Sequence, residues 1–102
     1  MIARVWHGAT AAEDGDAYAA YVEKTGMTNA RKIRGSRGTL VLRHADGERT
    51  EFETVFLFDS LEDVRAFAGD DIEKAVFYPE DDRYLIERDP GVIHYEADVH
   101  MV

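Results

Sequence analysis

The clearest pattern along the chain is an alternation of residue types at positions 51–58, where the sequence reads EFETVFLF. Phenylalanine or threonine fills every second position from Phe52 to Phe58, and this period of two predicts a β-strand with one face turned to a core. Asp59 and Ser60 end the strand, and Ser60 can cap the helix that follows. The apolar residues of that helix recur at helical spacing: Leu61, Val64, Phe67 and Ala68.

Three further strands are predicted from short apolar runs that are bounded by turn residues. They lie at 2–7, 39–44 and 92–99, and the strand already described extends back to position 49. Asp46 and Gly47 lie between the second and third strands, and an Asp-Gly pair in that place predicts a tight hairpin.

Helix start and stop signals divide the rest of the chain. Thr10 and Glu13 have capping-box spacing, which predicts a first helix that begins there and ends at Gly26, ahead of a polar loop over 28–38. Asp70 and Glu73 form a second possible capping box after the helix that Ser60 begins. This spacing predicts a short helix over 70–79, and one more helical turn is expected over 80–88.

The element order is therefore β-α-β-β-α-β, which is the ferredoxin-like pattern. We expect an α+β fold in which a four-stranded antiparallel sheet carries two helices on one face. The other face has no helix to cover it, and its apolar residues need a partner. A second copy of the sheet would cover them, so the sequence predicts a homodimer.

Length, charge and composition restrict the remaining possibilities. We expect one domain over residues 1–102, since this is a common domain size. The net charge of −9 argues against nucleic acid and anionic membranes as partners. One basic cluster, at positions 31–37, is either a solvated loop or an RNA-contacting loop. The chain has no cysteine, no apparent signal peptide and no apolar run long enough to span a membrane, so we expect a cytoplasmic protein.

A set of short motifs is spread over nearly the whole chain. They are Trp6-x-Gly8, Asp16-Ala17-Tyr18, Phe58-Asp59-Ser60-Leu61-Glu62, Arg65-Ala66-Phe67-Ala68-Gly69, Ala75-Val76 with Pro79-Glu80, and His94-Tyr95-Glu96. Together they resemble the antibiotic biosynthesis monooxygenase family of the dimeric α/β-barrel superfamily.

The resemblance implies a ferredoxin-like dimer whose two sheets form a barrel. Some members of that family oxidise polycyclic aromatic substrates with O₂ and use neither metal nor flavin, so no cofactor is expected here. Other members cleave haem, isomerise small molecules or have no known activity. Haem-degrading members carry an Asn in strand one and a distinctive Trp and His in the second half, whereas strand one here carries Arg4, Trp6 and His7, and residues 60–88 contain neither Trp nor His.

His94 is the first candidate catalytic residue. A histidine can take a proton from a phenol near neutral pH, which leaves an electron-rich anion able to react with O₂. The structural alternative is a histidine on a sheet face that is hydrogen-bonded to Glu96 or to a neighbouring strand.

Arg4 and Trp6 share one face of the first strand and are the next candidates. Arg4 can stabilise an enolate or carboxylate, and Trp6 can stack on an aromatic ring. Alternatively, Trp6 lies in a dimer interface and Arg4 forms a structural ion pair, because interfaces favour both residue types. Phe67 and Tyr78 are candidate substrate-binding residues, although a core phenylalanine and a half-buried tyrosine are the simpler interpretations.

A metal site is not expected. His94, Glu96 and Asp98, with His7 on a neighbouring strand, offer suitable nitrogen and oxygen ligands. However, alternate residues of one strand lie about 7 Å apart. Three functions remain open: a cofactor-independent monooxygenase acting on an aromatic or polyketide-like molecule, a non-catalytic dimeric binding or stress-response module, and an isomerase or haem-handling relative.

Overall fold

Five strands form one antiparallel sheet in the computed structural model, which describes residues 1–100. The strands are β1 (Ile2–Ala11), β2 (Ser36–Asp46), β3 (Arg49–Phe58), β4 (Leu85–Arg88) and β5 (Ile93–Glu96). Their order is β2-β3-β1-β4, and β5 pairs with the other half of β1. The last two strands therefore lie along the same edge of β1 and together take the place of the fourth strand. The predicted ferredoxin-like architecture is confirmed.

Four helices cover one face of this sheet. They are α1 (Gly15–Val22), α2 (Thr28–Arg31), α3 (Leu61–Ala68) and α4 (Asp81–Tyr84). Ser60 caps α3 as predicted, since its hydroxyl accepts a hydrogen bond from the Asp63 amide at 3.4 Å. No helix in the described residues is long and apolar enough to cross a membrane.

The first helical region differs from its prediction at both ends. Thr10 lies inside β1 and caps no helix, because its hydroxyl donates to the Ala11 carbonyl at 2.8 Å. Gly26 does not end the helix either. It is buried within a π-helical turn, Glu23–Met27, which joins α1 to α2. Ala30, further along, is fully buried against the sheet, and this packing offsets the low helix propensity of glycine.

The predicted short helix over 70–79 is also absent. The backbone of this segment forms only short turns within itself, such as the bond from the Lys74 amide to the Asp71 carbonyl at 3.2 Å, and it also bonds to a distant part of the chain. The Ala75 amide donates to the Pro90 carbonyl at 3.0 Å, and the Val92 amide donates to the Glu73 carbonyl at 2.9 Å. Beyond it, α4 occupies only the start of the predicted 80–88 helical turn, and the chain then extends as β4.

Two predicted boundaries in the sheet also move. The predicted loop over 28–38 begins as α2 and ends as the start of β2. The predicted last strand is shorter, and β5 supplies its regular part. The Asp-Gly hairpin is confirmed, since Asp46 pairs with Arg49 across a two-residue loop in which Gly47 has a φ of +64°.

The strand register divides the side chains of the sheet between two faces. The helix-covered face carries a core of aromatic residues: Trp6, Phe52, Phe56 and Phe58. The open face carries two apolar rows across the strands. One row is Leu57, Ala3 and Tyr95, and the other is Leu40, Val55, Val5 and Ile93.

Candidate active site

A cavity opens between the sheet, the α1 helix with its π-helical turn, and the irregular segment around positions 75–78. Its wall includes Arg4, Trp6, Tyr18, Gly26, Phe67, Phe77, Tyr78 and Asp81. The cavity itself measures about 60 Å³, and the atom-free space out to its open mouth is about 520 Å³. Ligand sites commonly have several hundred Å³, so a ligand with more than one ring must widen the inner part. The covering segment contains no helix or strand, and it is held by hydrogen bonds at Ala75 and Tyr78, which such a widening must shift or break.

Trp6 forms one side of the cavity, and contacts at both ends of its indole ring hold it there. Its indole N–H donates to the Asp89 carbonyl at 2.8 Å, and its ring meets Phe77 edge-on with the centroids 6.2 Å apart. Gly8 lets the indole lie flat along the strand, because a Cβ there would come within 2.8 Å of the Trp6 Cζ2 atom. The Trp6-x-Gly8 motif thus has a steric basis. Trp6 is only 8% exposed, and it is buried within a single copy of the chain.

Arg4 brings a buried positive charge to the same wall. Its guanidinium donates to the carbonyls of Ile72 at 2.6 Å and Lys74 at 2.8 Å, and it lies 5.8 Å from the centre of the Phe67 ring. Burial lowers the pKa of Arg4 to about 10, so the side chain stays charged at neutral pH. No carboxylate of residues 1–100 forms an ion pair with it.

His94 contacts Arg4 but does not line the cavity. It lies opposite Arg4 in the β1–β5 register, and its Nε2 atom is 3.1 Å from the Arg4 Nη1 atom. Arginine has no acceptor, so Nε2 must be the unprotonated nitrogen that accepts this hydrogen bond. Burial, followed by the charge of Arg4, lowers the pKa of His94, while Glu73 acts in the opposite direction. The histidine is therefore neutral at pH 7.

Because folding lowers the pKa of His94, stability should depend on pH. The unfolded state binds the proton more readily, so the stabilising contribution of the neutral ring is complete above about pH 6.5 and is lost as the pH falls through the lowered pKa. On acidification over this range, we expect wild type to lose more stability than His94→Gln. The glutamine amide oxygen can still accept a hydrogen bond from Arg4 but does not titrate. Urea unfolding between pH 7 and pH 5 checks this. Parallel curves for the two proteins would contradict the assignment.

Tyr18 and Asp81 form a buried polar pair that the sequence did not reveal. The Tyr18 hydroxyl donates to Asp81 Oδ1 at 3.1 Å, and the Tyr78 amide donates to Oδ2 at 2.6 Å. Burial, then the Asp81 charge, raises the pKa of Tyr18, which stays protonated. Asp81 is only 4% exposed although it stands in an acidic run, PEDDR, that suggests a solvated surface. Only the tertiary contact with α1 distinguishes it from its neighbours.

The two other predicted binding residues also reach the cavity. Phe67 packs edge-on against Phe56 with the ring centres 5.6 Å apart, so it is part of the core as well as of the wall. The Tyr78 hydroxyl accepts a hydrogen bond from the Asn29 side-chain amide at 3.0 Å. Arg4, Trp6, Phe67 and Tyr78 are therefore brought together, and His94 joins them through Arg4.

The fold does not bring together the side chains that the sequence offered as metal ligands. The pairing of Arg4 with His94 places His94 on the helix-covered face, whereas His7 is on the open face. A second depression, of about 330 Å³, lies on the open face where β4 and β5 separate. No charged side chain on its wall is buried, so it is a weaker candidate for a specific site.

Comparison with known proteins gives a structural relative only. No family model and no curated protein matches the sequence. A solved structure with a similar fold is that of a point mutant of MhuD with two manganese protoporphyrin IX bound per active site. It is 15% identical, the match covers 100% of this chain and 99% of that one, and the TM-score is 0.65. The chain therefore shares its ferredoxin-like α+β fold with that protein along its whole length.

Proposed function

We propose that this chain is a small cofactor-independent monooxygenase of the antibiotic biosynthesis monooxygenase type, acting on a phenolic or polyketide-like aromatic molecule. The observation that carries the proposal is the buried charge of Arg4 on the wall of an aromatic cavity. Three hydrogen bonds account for only part of its five N–H donors. A ligand oxygen that gains negative charge would meet a cation already in place.

In this proposal the ligand ring lies against Trp6 and its anionic oxygen faces Arg4. Phe67 and Tyr78 contact the remaining ring surface. His94 is the base that takes the phenolic proton. His94 lies behind Arg4 and outside the cavity wall, so this step requires two movements: the Arg4–His94 hydrogen bond opens as the guanidinium turns towards the ligand, and the imidazole then turns into the cavity.

The oxidation then balances with O₂ as the only co-reactant. An anthrone reacts here as its phenolic tautomer, in which one CH₂ hydrogen has moved to the carbonyl oxygen. Loss of that hydroxyl proton to His94 leaves an anion with negative charge on the former CH₂ carbon. This carbon donates electrons to O₂, and a carbon–oxygen bond forms. Loss of water from the hydroperoxide leaves a carbonyl. One oxygen atom stays on carbon, and the other leaves as water with both hydrogens.

The test is O₂ uptake with 1,8-dihydroxyanthrone as the probe, measured against its uncatalysed oxidation. We expect wild type to accelerate uptake and His94→Gln to lose at least about tenfold of that acceleration, in the range of general-base catalysis. Asn29→Ala, which removes only an exposed contact to Tyr78, is the control and should keep the rate. Equal rates for wild type and His94→Gln would remove His94 from the mechanism.

We further propose that the two apolar rows of the open face pair with a second copy. Leu40 and Ile93 end one row and Tyr95 ends the other, and they are 46%, 60% and 51% exposed in the single chain. A continuous apolar surface of this kind is typical of an interface. A second identical sheet offers a surface of matching shape and chemistry.

Leu40→Asp should convert the dimer into a monomer. A carboxylate buried in an apolar interface is desolvated without a partner. Leu61→Asp is the matched control, since Leu61 is similarly exposed at 40% but lies at the start of α3, on the opposite side of the sheet. Light scattering after gel filtration gives both masses. Identical association states for wild type and Leu40→Asp would exclude this face as the interface.

Porphyrin binding is the second candidate, favoured by the fold shared with the MhuD structure, which holds manganese protoporphyrin IX. The described cavity wall carries no His, Cys or Met that would serve as a usual axial ligand. A haem titration separates the two candidates, because a saturating Soret shift would favour porphyrin binding. Probe binding without O₂ uptake would instead favour a non-catalytic binding module.

A further inference from the structure

A second cluster of chemically active side chains lies on the open face, away from the cavity. It consists of His7 on β1, Glu51 on β3 and Glu87 on β4, and is called the His7 cluster below. Their nearest nitrogen and oxygen atoms all lie within 4.8 Å of one another. These residues belong to three adjacent strands and are far apart in sequence.

The strand register explains why the three side chains meet. Ala9 pairs with Glu51 on one side and with Glu87 on the other, so the two carboxylates flank a single alanine. Ala9 is fully buried, and its small side chain does not separate the two carboxylates, which share the Arg49 guanidinium as a partner. His7 lies two residues earlier on the same strand and therefore points to the same face.

We propose that the His7 cluster is a binding site for a divalent first-row metal ion, with zinc as the best-fitting ion. One imidazole nitrogen and two carboxylates are a ligand set that zinc and its neighbours accept, with water completing the coordination. The His7 Nε2 and Glu51 Oε1 atoms are 3.4 Å apart. Two ligands at zinc distances of about 2.0–2.2 Å and tetrahedral angles are separated by roughly this length.

Without a metal ion, Arg49 supplies the positive charge of the His7 cluster. Its guanidinium donates to Glu51 Oε2 and to Glu87 Oε1, both at 2.9 Å. Both carboxylates are thus already oriented towards a cation. Glu51 Oε1, which faces His7, is not used by Arg49. The Arg49 side chain is 31% exposed, so it can turn towards solvent when a metal enters.

The test is calorimetric titration of Zn²⁺ into the untagged full chain after treatment with EDTA, with the visible spectrum of added Co²⁺ as an independent readout. We expect one ion per chain and a loss of binding of at least about tenfold in His7→Gln and in Glu51→Gln. Arg49→Gln should bind more tightly, because it removes the competing positive charge. His44→Gln is the matched control, since His44 pairs with Glu51 from β2 but is outside the cluster, and it should bind as wild type.

Absence of binding by both wild type and Arg49→Gln would exclude the site. Undiminished binding by His7→Gln and Glu51→Gln would show that the ion binds elsewhere on the chain. Circular dichroism of each variant, compared with wild type, shows whether a loss of binding comes from a loss of folding. If His7→Gln and Glu51→Gln are both unfolded, the test rests on Arg49→Gln. The proposal is then overturned if Arg49→Gln binds Zn²⁺ no more tightly than wild type.

Discussion

Replacing Arg4 by methionine should destabilise the protein by about 2 kcal/mol, the effect expected when buried hydrogen-bond acceptors lose their donor. The guanidinium holds the carbonyls of Ile72 and Lys74, and this attachment fixes a segment that has no helix or strand of its own. Methionine fills similar volume but donates no hydrogen bond. The same variant should bind an anionic aromatic probe at least about tenfold more weakly, because a charge-assisted hydrogen bond is lost.

Arg43→Met is the matched control for this experiment. Arg43 also lies on the helix-covered face of the sheet, but it is 44% exposed and its ion pair is with a fully exposed Asp16. Such a pair contributes roughly 0–1 kcal/mol. Urea unfolding of both variants gives the comparison. Equal losses of stability would mean that Arg4 has no special role in holding the 72–74 segment.

Gly8→Ala should destabilise the protein by about 2–3 kcal/mol, the upper part of the range for overpacking a core. The added methyl group would overlap the distal ring of Trp6, with Cζ2 only 2.8 Å from the new Cβ. The indole would have to leave its place against Phe77 and give up its hydrogen bond to the Asp89 carbonyl. The cavity would then lose one wall.

A double-mutant cycle with Trp6→Leu isolates this steric effect. Leucine lacks the ring atoms that collide, so Gly8→Ala should cost less than about 1 kcal/mol in the Trp6→Leu background. Urea unfolding followed by circular dichroism measures all four proteins without depending on tryptophan emission. A full cost of Gly8→Ala in both backgrounds would place its origin in the strand backbone and not in the contact with Trp6.

The fold was predictable wherever local patterns and packing agree. The alternation in β3, the Ser60 cap of α3 and the Asp46-Gly47 turn each specify one structure, and all three are present. The predictions failed where tertiary contacts replace local ones. The Asp70-x-x-Glu73 spacing favours a helix, but Arg4 and the backbone around Pro90 bind that segment's polar groups instead. Gly26 favours a helix end, but burial of later residues keeps the chain helical.

The candidate site was predictable only in part, for a related reason. Arg4 and Trp6 share a strand face, so a two-residue period is enough to place them together. The pairing of Arg4 with His94 follows from the position of the last strand beside the first. Asp81 is different, because nothing in its acidic surroundings distinguishes it until α4 packs against Tyr18. The π-helical turn that borders the cavity likewise has no signal in the sequence.

The central claim is that the cavity between the sheet and α1 binds an aromatic molecule with an anionic oxygen at Arg4. Trp6 is the only tryptophan of the chain, but it lines both this cavity and the depression on the open face. Arg4 lines the cavity and not the depression, so the Arg4→Met variant shows whether quenching comes from the cavity. The most direct measurement is a fluorescence titration with 1,8-dihydroxyanthraquinone, the stable product of the proposed oxidation, corrected for absorption by the probe. We predict saturable quenching with one molecule per chain and at least about tenfold weaker binding by Arg4→Met. Quenching that does not saturate, or equal affinity in wild type and Arg4→Met, would contradict the claim.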